Sequence, residues 1–153
     1  MAYGFLDIAT TPSVEAAQVA NGSRDLWEDS TVDREFGRLT PREVDFIAAR
    51  DSFYMATVSE TGWPYVQHRG GPPGFLQLLD ETTLAFADFR GNRQYISLGN
   101  IAANDRAALI LVDYVHRRRL KIYARVTPVD LRLTRSLLPA WRFQAIKRGP
   151  SAR

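Results

Sequence analysis

The pattern of hydrophobic and polar positions changes character at Ser52. Before it, the chain reads as helices: TPSVEAAQVA, Thr11 to Ala20, has Thr11 as N-cap and Pro12 at the first helical position, and Asn21-Gly22 ends it. A polar, acidic stretch then runs to Gly37-Arg38. Thr40-Pro41-Arg42-Glu43 opens a second helix, with Thr40 as cap, Glu43 at the third position, and Phe46 and Ile47 as its apolar face. From Ser52 the rhythm becomes that of strands. SFYMATVSE and PYVQHR flank a turn at Gly62; after the Gly-Pro-Pro-Gly break, FLQLL and TLAFADF flank Asp80-Glu81-Thr82. AALILVDY and RLKIYARVTPV form a third pair across Val115 to Arg117. Six strands in antiparallel pairs, with one short helix from Gln94 to about Asn100, predict a mainly β fold: a small antiparallel barrel with flanking helices. The expected organisation is a single domain over 1–153, with a helical, acidic arm at 1–39 and a barrel at 40–130. In the tail, 131–153, Pro139 interrupts a helix-like run that leads to a frayed basic end.

Composition narrows the function classes. With no cysteine among 153 residues there is no disulfide framework, thiolate metal site or cysteine nucleophile. Two histidines are too few for a convincing metal centre. No apolar run approaches the ~20 residues of a membrane-spanning helix, and the N-terminus lacks the basic start and apolar block of a signal peptide, so a soluble, cytoplasmic protein is expected. The net charge of +3 conceals an asymmetry: residues 1–60 carry eleven acids against five bases, residues 61–153 six against fifteen. A basic second half suits an anionic cofactor, a nucleic acid, or the acidic half of a second copy.

The candidate chemistry lies between Gln67 and Asn100. Arg69 ends the second strand directly before Gly70-Gly71, where a ligand can approach the backbone. Taken alone it reads equally as an anion anchor or as a solvated strand-end arginine. Gly91-Asn92-Arg93-Gln94 follows the fourth strand, and its polar groups with the N–H groups of the next helix fit a phosphate, to which Arg93 adds a forked hydrogen bond. A plain Gly-Asn turn with a helix cap is the commoner explanation of those residues in isolation. In His116-Arg117-Arg118-Arg119-Leu120-Lys121, alternation sends Arg119 and Lys121 to one face and Leu120 to the other. Such runs are usually solvated loops or charged edge strands, and only Tyr114 and Tyr123 flank this one, too few aromatics for a nucleic-acid surface. No P-loop, Rossmann glycine fingerprint or Gly-x-Ser-x-Gly elbow is present, so redox chemistry requires a bound cofactor.

From about Thr40 to Val129 the chain resembles the pyridoxamine 5'-phosphate oxidase-related family of FMN-binding split barrels, through FIAARDSFYMATVSETGWPYVQHRGGPPGFLQLLDETTLAFADFRGNRQYISLGNIAANDRAALILVDY. The pairing of a GGPPGF turn with a later GNR turn carries the resemblance. It implies a homodimer of six-stranded split barrels with FMN in clefts between subunits; FAD, a deazaflavin or haem are the alternatives in related barrels. Arg69, Gly70 and Gly71 are then expected along the flavin, and Arg93 on its phosphate. Gln94 stands where pyridoxamine phosphate oxidases have lysine, which shifts phosphate binding toward Arg93, Asn92 and Ser97. Asp88 matches a position beside the isoalloxazine or ribityl chain, and Arg119 a polar position, often glutamine, that reaches the cofactor of the other subunit. The family's C-terminal substrate motif, and the Cys-Pro-Gln-His type ending of the GGPPGF branch, are absent from AWRFQAIKRGPSAR. The resemblance therefore implies an FMN-binding oxidoreductase acting on a small molecule it does not identify, without supporting oxidation of pyridoxamine phosphate, and with a non-catalytic flavin- or anion-binding dimer as the alternative.

Overall fold

The computed structural model describes residues 5–28, 38–89, 91–130 and, as backbone, 143–148. It divides into two compact units: residues 1–38 with 150–153, and residues 39–149. The first unit contains α1 (Phe5–Ala9), α2 (Pro12–Ala20) and α3 (Asp25–Glu28). Pro12 opens α2 after an extended Thr11, as its fixed φ favours, although the Thr11 side chain makes no capping bond. Arg24 ties the segment beyond α2 to its surface, pairing with Glu15 at 3.0 Å and Gln18 at 3.1 Å. Neither α1 nor α3 is signalled by the sequence pattern; both are too short to show a helical period.

The second unit begins with α4 (Pro41–Ala48). Its start is a complete capping box: Thr40 Oγ1 accepts from Glu43 N at 3.3 Å, and Glu43 Oε2 accepts from Thr40 N at 2.8 Å. Leu39 N donates to Glu81 O at 2.9 Å, so the helix starts against the turn at Glu81-Thr82. The strands are β1 (Ser52–Val58), β2 (Pro64–Gly70), β3 (Gln77–Asp80), β4 (Thr83–Ala87), β5 (Arg106–Asp113), β6 (Arg118–Val129) and β7 (Phe143–Arg148), with α5 (Ile96–Ala103) between β4 and β5. All pairings are antiparallel, in the order β2-β1-β5-β6-β7-β4-β3.

The six strands and three hairpins that the pattern predicts are all present, and a seventh strand joins them. Residues 143–148 are not the frayed end expected of the tail; the remainder of 131–153 lies outside the described residues. Phe143-Gln144-Ala145-Ile146-Lys147-Arg148 has little alternation, and β7 is held instead by ladders on both sides, to β6 and to β4. No ladder joins β2 to β3 among the described residues, yet the sheet curls. Phe53 of β1 meets Phe86 of β4 edge to face at 5.2 Å and stacks on Phe75 at 5.6 Å. Each ring brings large apolar area to a core that also holds Met55, Leu84, Leu109, Leu111, Ile122 and Val126. A buried side chain of this size contributes about 1.5–3 kcal/mol relative to exposure. No described helix is long and apolar enough to cross a membrane.

Candidate functional site

The GGPPGF turn is built by packing. Gly71 N donates to Asp51 O at 2.8 Å and Gly74 N to Arg50 O at 3.1 Å, which lays the turn beside the segment leading into β1. A Cβ on Gly71 would stand 2.7 Å from the Phe75 ring, so a side chain there would expel Phe75 from its stack on Phe53. Gly74, at φ +80°, takes a conformation that other residues resist. Packing thus accounts for Gly71 and backbone conformation for Gly74, while Gly70 stays exposed at the end of β2.

Alternation on β2 leaves Tyr65, Gln67 and Arg69 half-buried on one face, with Val66 and His68 exposed on the other. Arg69 crosses to β4: its Nη1 lies 2.8 Å from Asp88 Oδ1, and its guanidinium carbon 5.9 Å from the centre of the Phe86 ring. Two residues earlier on the same face, Gln67 Oε1 accepts from Ser97 Oγ at 3.0 Å. The segment from Asp88 to Ser97 is therefore fastened at both ends to neighbouring side chains of β2. A third tie, Asn100 Nδ2 donating to Thr57 Oγ1 at 3.0 Å, holds α5 over β1. Gln67 and Thr57 were not among the residues singled out in the sequence; Gln67's signal was its phase with Arg69.

Between its fastened ends the segment has an unusual backbone. Positive φ recurs at Gly91 (46°), Arg93 (63°) and Tyr95 (54°), with Asn92 and Gln94 between them outside that region. Alternation of left-handed residues occurs in turns whose N–H groups converge on an anion, and here the Gln94 N–H is already donated to Asn92. Each non-glycine residue held there costs on the order of 1–3 kcal/mol, strain typical of ligand-holding segments. Asn92 stabilises the turn, its Oδ1 accepting from Gln94 N at 3.1 Å and its Nδ2 donating to Gln94 Oε1 at 3.2 Å. No side chain caps the start of α5, leaving its first N–H groups to another partner.

The predicted residues accordingly separate by role. Arg93 is exposed and makes no hydrogen bond or ion pair with any described residue, so its five donors are available. Arg69 has its Nε buried and donating to no described residue. Ser97 is 1% exposed and its hydroxyl donates to Gln67, which ties α5 to β2. Asn92 and Gln94 are occupied with each other. Asp88 is the counter-charge of Arg69. Arg119 stands apart: opposite Val112 in the β5–β6 ladder, it occupies the outward face of the sheet, away from Arg69. As a donor set for a flat, phosphorylated cofactor the cradle fits: an orphaned buried guanidinium nitrogen, an unspent arginine, and uncapped helix N–H groups beside a nest-like turn.

The basic run holds a second cluster. Asp113, 4% exposed, accepts from His116 N at 3.0 Å and lies 2.9 Å from the His116 ring, 3.3 Å from Arg118 and 3.4 Å from Arg50. The His116 N–H above all, opposed by burial and aided by the His116 ring and Arg118, holds its carboxyl well below the usual range. Part of what reads as a solvated run is therefore spent on one buried acid.

Residues 39–147 match the family model described as pyridoxamine 5'-phosphate oxidase. None of the curated proteins matches the chain at a significant level. Among solved structures, a pyridoxamine 5'-phosphate oxidase candidate from Lactobacillus delbrueckii is similar at TM-score 0.57 and 19% identity, over 75% of this chain and 93% of that one. HupZ of Group A Streptococcus is similar at TM-score 0.54 and 16% identity, over 72% and 90%. An F420 reductase is similar at TM-score 0.51 and 18% identity, over 72% and 97%. At these identities the structural likeness speaks for the fold alone.

Proposed function

Because the chain belongs to the pyridoxamine 5'-phosphate oxidase family, whose members bind flavin-type cofactors, we propose that it is an FMN-binding oxidoreductase acting on a small molecule. The observation that carries this reading is the segment from Asp88 to Ser97, fastened to Arg69 and Gln67 of β2 so that Arg93 and the start of α5 are presented together. Arg93 and the first N–H groups of α5 hold the phosphate, with Asn92 and Gln94 fixing the turn that supports them. Arg69 offers its unspent Nε to the flavin, while Asp88 keeps its guanidinium in place; Gly70 and Gly71 border the same cleft. FMN when bound supplies the hydride and electron transfer, and the chain supplies position and field.

Arg119 belongs to this site through a second copy, since it lies on the opposite face of its own sheet from Arg69. That face is suited to pairing. The register places His68, Tyr54, Ile110 and Lys121 in one row and Val66, Ala56, Ala108 and Tyr123 in the next, an apolar band flanked by Trp63, 75% exposed. A homodimer with the cofactor near its interface follows from the same reading.

The test is the absorption spectrum of freshly purified protein followed by titration with FMN. Flavin bands, or saturable uptake of FMN, are expected; a colourless protein that takes up none overturns the proposal. The same spectrum distinguishes flavin from haem.

A further inference from the structure

Away from the β2–α5 cradle, the first turn of α4 and the start of β6 form a groove of about 480 Å³ lined by Arg42, Glu43, Phe46, Arg118, Arg119 and Leu120. Its charges do not balance. Glu43 is the one acid among the described lining residues, and its carboxylate is drawn to the helix cap, where Oε2 accepts from Thr40 N at 2.8 Å and Thr40 Oγ1 at 3.1 Å. Arg118 is held by Asp113, but that single carboxylate also serves Arg50 and His116. Arg42 makes no hydrogen bond or ion pair with any described residue. Arg42 moreover stands in the first turn of α4, where the helix dipole favours an anion and opposes a cation. Arg42 breaks this local rule with no compensating carboxylate among the described residues, and an anionic ligand is the partner that would supply one.

The floor of the groove is apolar. Phe46 and Leu120 pack against the core while remaining partly exposed, and the Phe46 ring is flanked by Arg50 at 4.8 Å and Arg118 at 5.8 Å. Those guanidinium groups fix the ring and concentrate positive charge around it. With one aromatic among the described lining residues, no series of platforms for successive bases is seen there, which disfavours single-stranded nucleic acid.

We propose that this groove binds a small organic anion with a flat or apolar body, its carboxylate, sulfonate or phosphate held between Arg42 and Arg118 and its body laid on Phe46 and Leu120. This is a site additional to the flavin cradle of the same chain.

Isothermal titration of the full chain with phenyl phosphate, inorganic phosphate and benzyl alcohol tests it. Phenyl phosphate is expected to bind more tightly than either of the others, because it alone satisfies both the arginines and the floor. Arg42→Ala should weaken phenyl phosphate about tenfold, the size of one lost charge-assisted contact, with thermal unfolding and FMN uptake unchanged. Phe46→Leu should retain affinity for inorganic phosphate and lose the preference for the phenyl compound. Absence of phenyl phosphate binding, or an unaltered affinity in Arg42→Ala, overturns the proposal. So does displacement of phenyl phosphate by FMN, which would make the groove part of a flavin cleft. Tighter binding of a single-stranded oligonucleotide, with the same sensitivity to Arg42→Ala, would also overturn it in favour of a nucleic-acid surface.

Discussion

Arg69 on β2 and Asp88 just beyond β4 are 2.8 Å apart, although their strands stand first and sixth in the order of the sheet. The contact exists because the sheet curls until its two ends face each other across Phe53 and Phe86. A side-chain ion pair thus spans the gap that no backbone ladder closes among the described residues.

Removing one member of that pair leaves the other in a site only 15% or 11% exposed. Arg69→Met should destabilise the protein by roughly 2–3 kcal/mol, less than a fully buried pair would cost. Arg69→Met combined with Asp88→Asn should recover part of the loss. Equilibrium denaturation of the two single variants and the double variant measures the coupling, and strict additivity would show that the two side chains act independently.

Arg93 is exposed and contributes little to the fold, so its role and stability are separable. Arg93→Ala should weaken FMN by about 10–100-fold, as expected for a lost charge-assisted contact to phosphate, and leave the melting temperature unchanged. An FMN titration with unaltered affinity would remove Arg93 from the site.

Asp113 links stability to pH. Its folded-state carboxyl lies below the unfolded value of 3.8, so its stabilising contribution is complete above that value and is lost as pH falls through the range below it. Asp80, depressed chiefly by the Thr82 N–H, acts in the same direction. Comparison of wild type with Asp113→Asn isolates the one residue: between neutral pH and about pH 3 the denaturation midpoint of the wild type should decline more steeply. Parallel curves would contradict the assignment.

The capping box of α4 predicts a small, local effect. Thr40→Ala should lower stability by about 1 kcal/mol. Thermal unfolding with FMN absent measures it, and a loss several times larger would indicate that Thr40 supports more than the helix.

The outward face of β2, β1 and β5 predicts the assembly. Val66 is 60% exposed in the middle of the apolar band, where the proposed dimer would cover it. Val66→Glu should convert dimer to monomer in light scattering coupled to size exclusion, with FMN affinity falling in parallel if Arg119 acts across the interface. A wild-type protein that is monomeric at all concentrations would refute this arrangement.

Local chemistry made much of this molecule legible in one dimension. Thr40-Pro41-Arg42-Glu43 specifies its helix start through side chains within three residues of the backbone groups they satisfy. The three hairpins announce themselves by alternation and short turns, and the Gly-Asn-Arg segment by its lack of any other local structure to form. Residues tens of positions apart were decided only by tertiary structure. Alternation tells which face of a strand is buried and nothing about which strand lies beside it, so the β1–β5 pairing and the insertion of β7 between β6 and β4 required the whole chain to find its lowest free energy. The same limit hid why Gly71 has no side chain, which Phe75 explains, and why Ser97 is polar, which Gln67 explains. Tertiary structure also set the faces of two arginines that both suit an anion: the pleat of the sheet sends Arg69 and Arg119 to opposite sides.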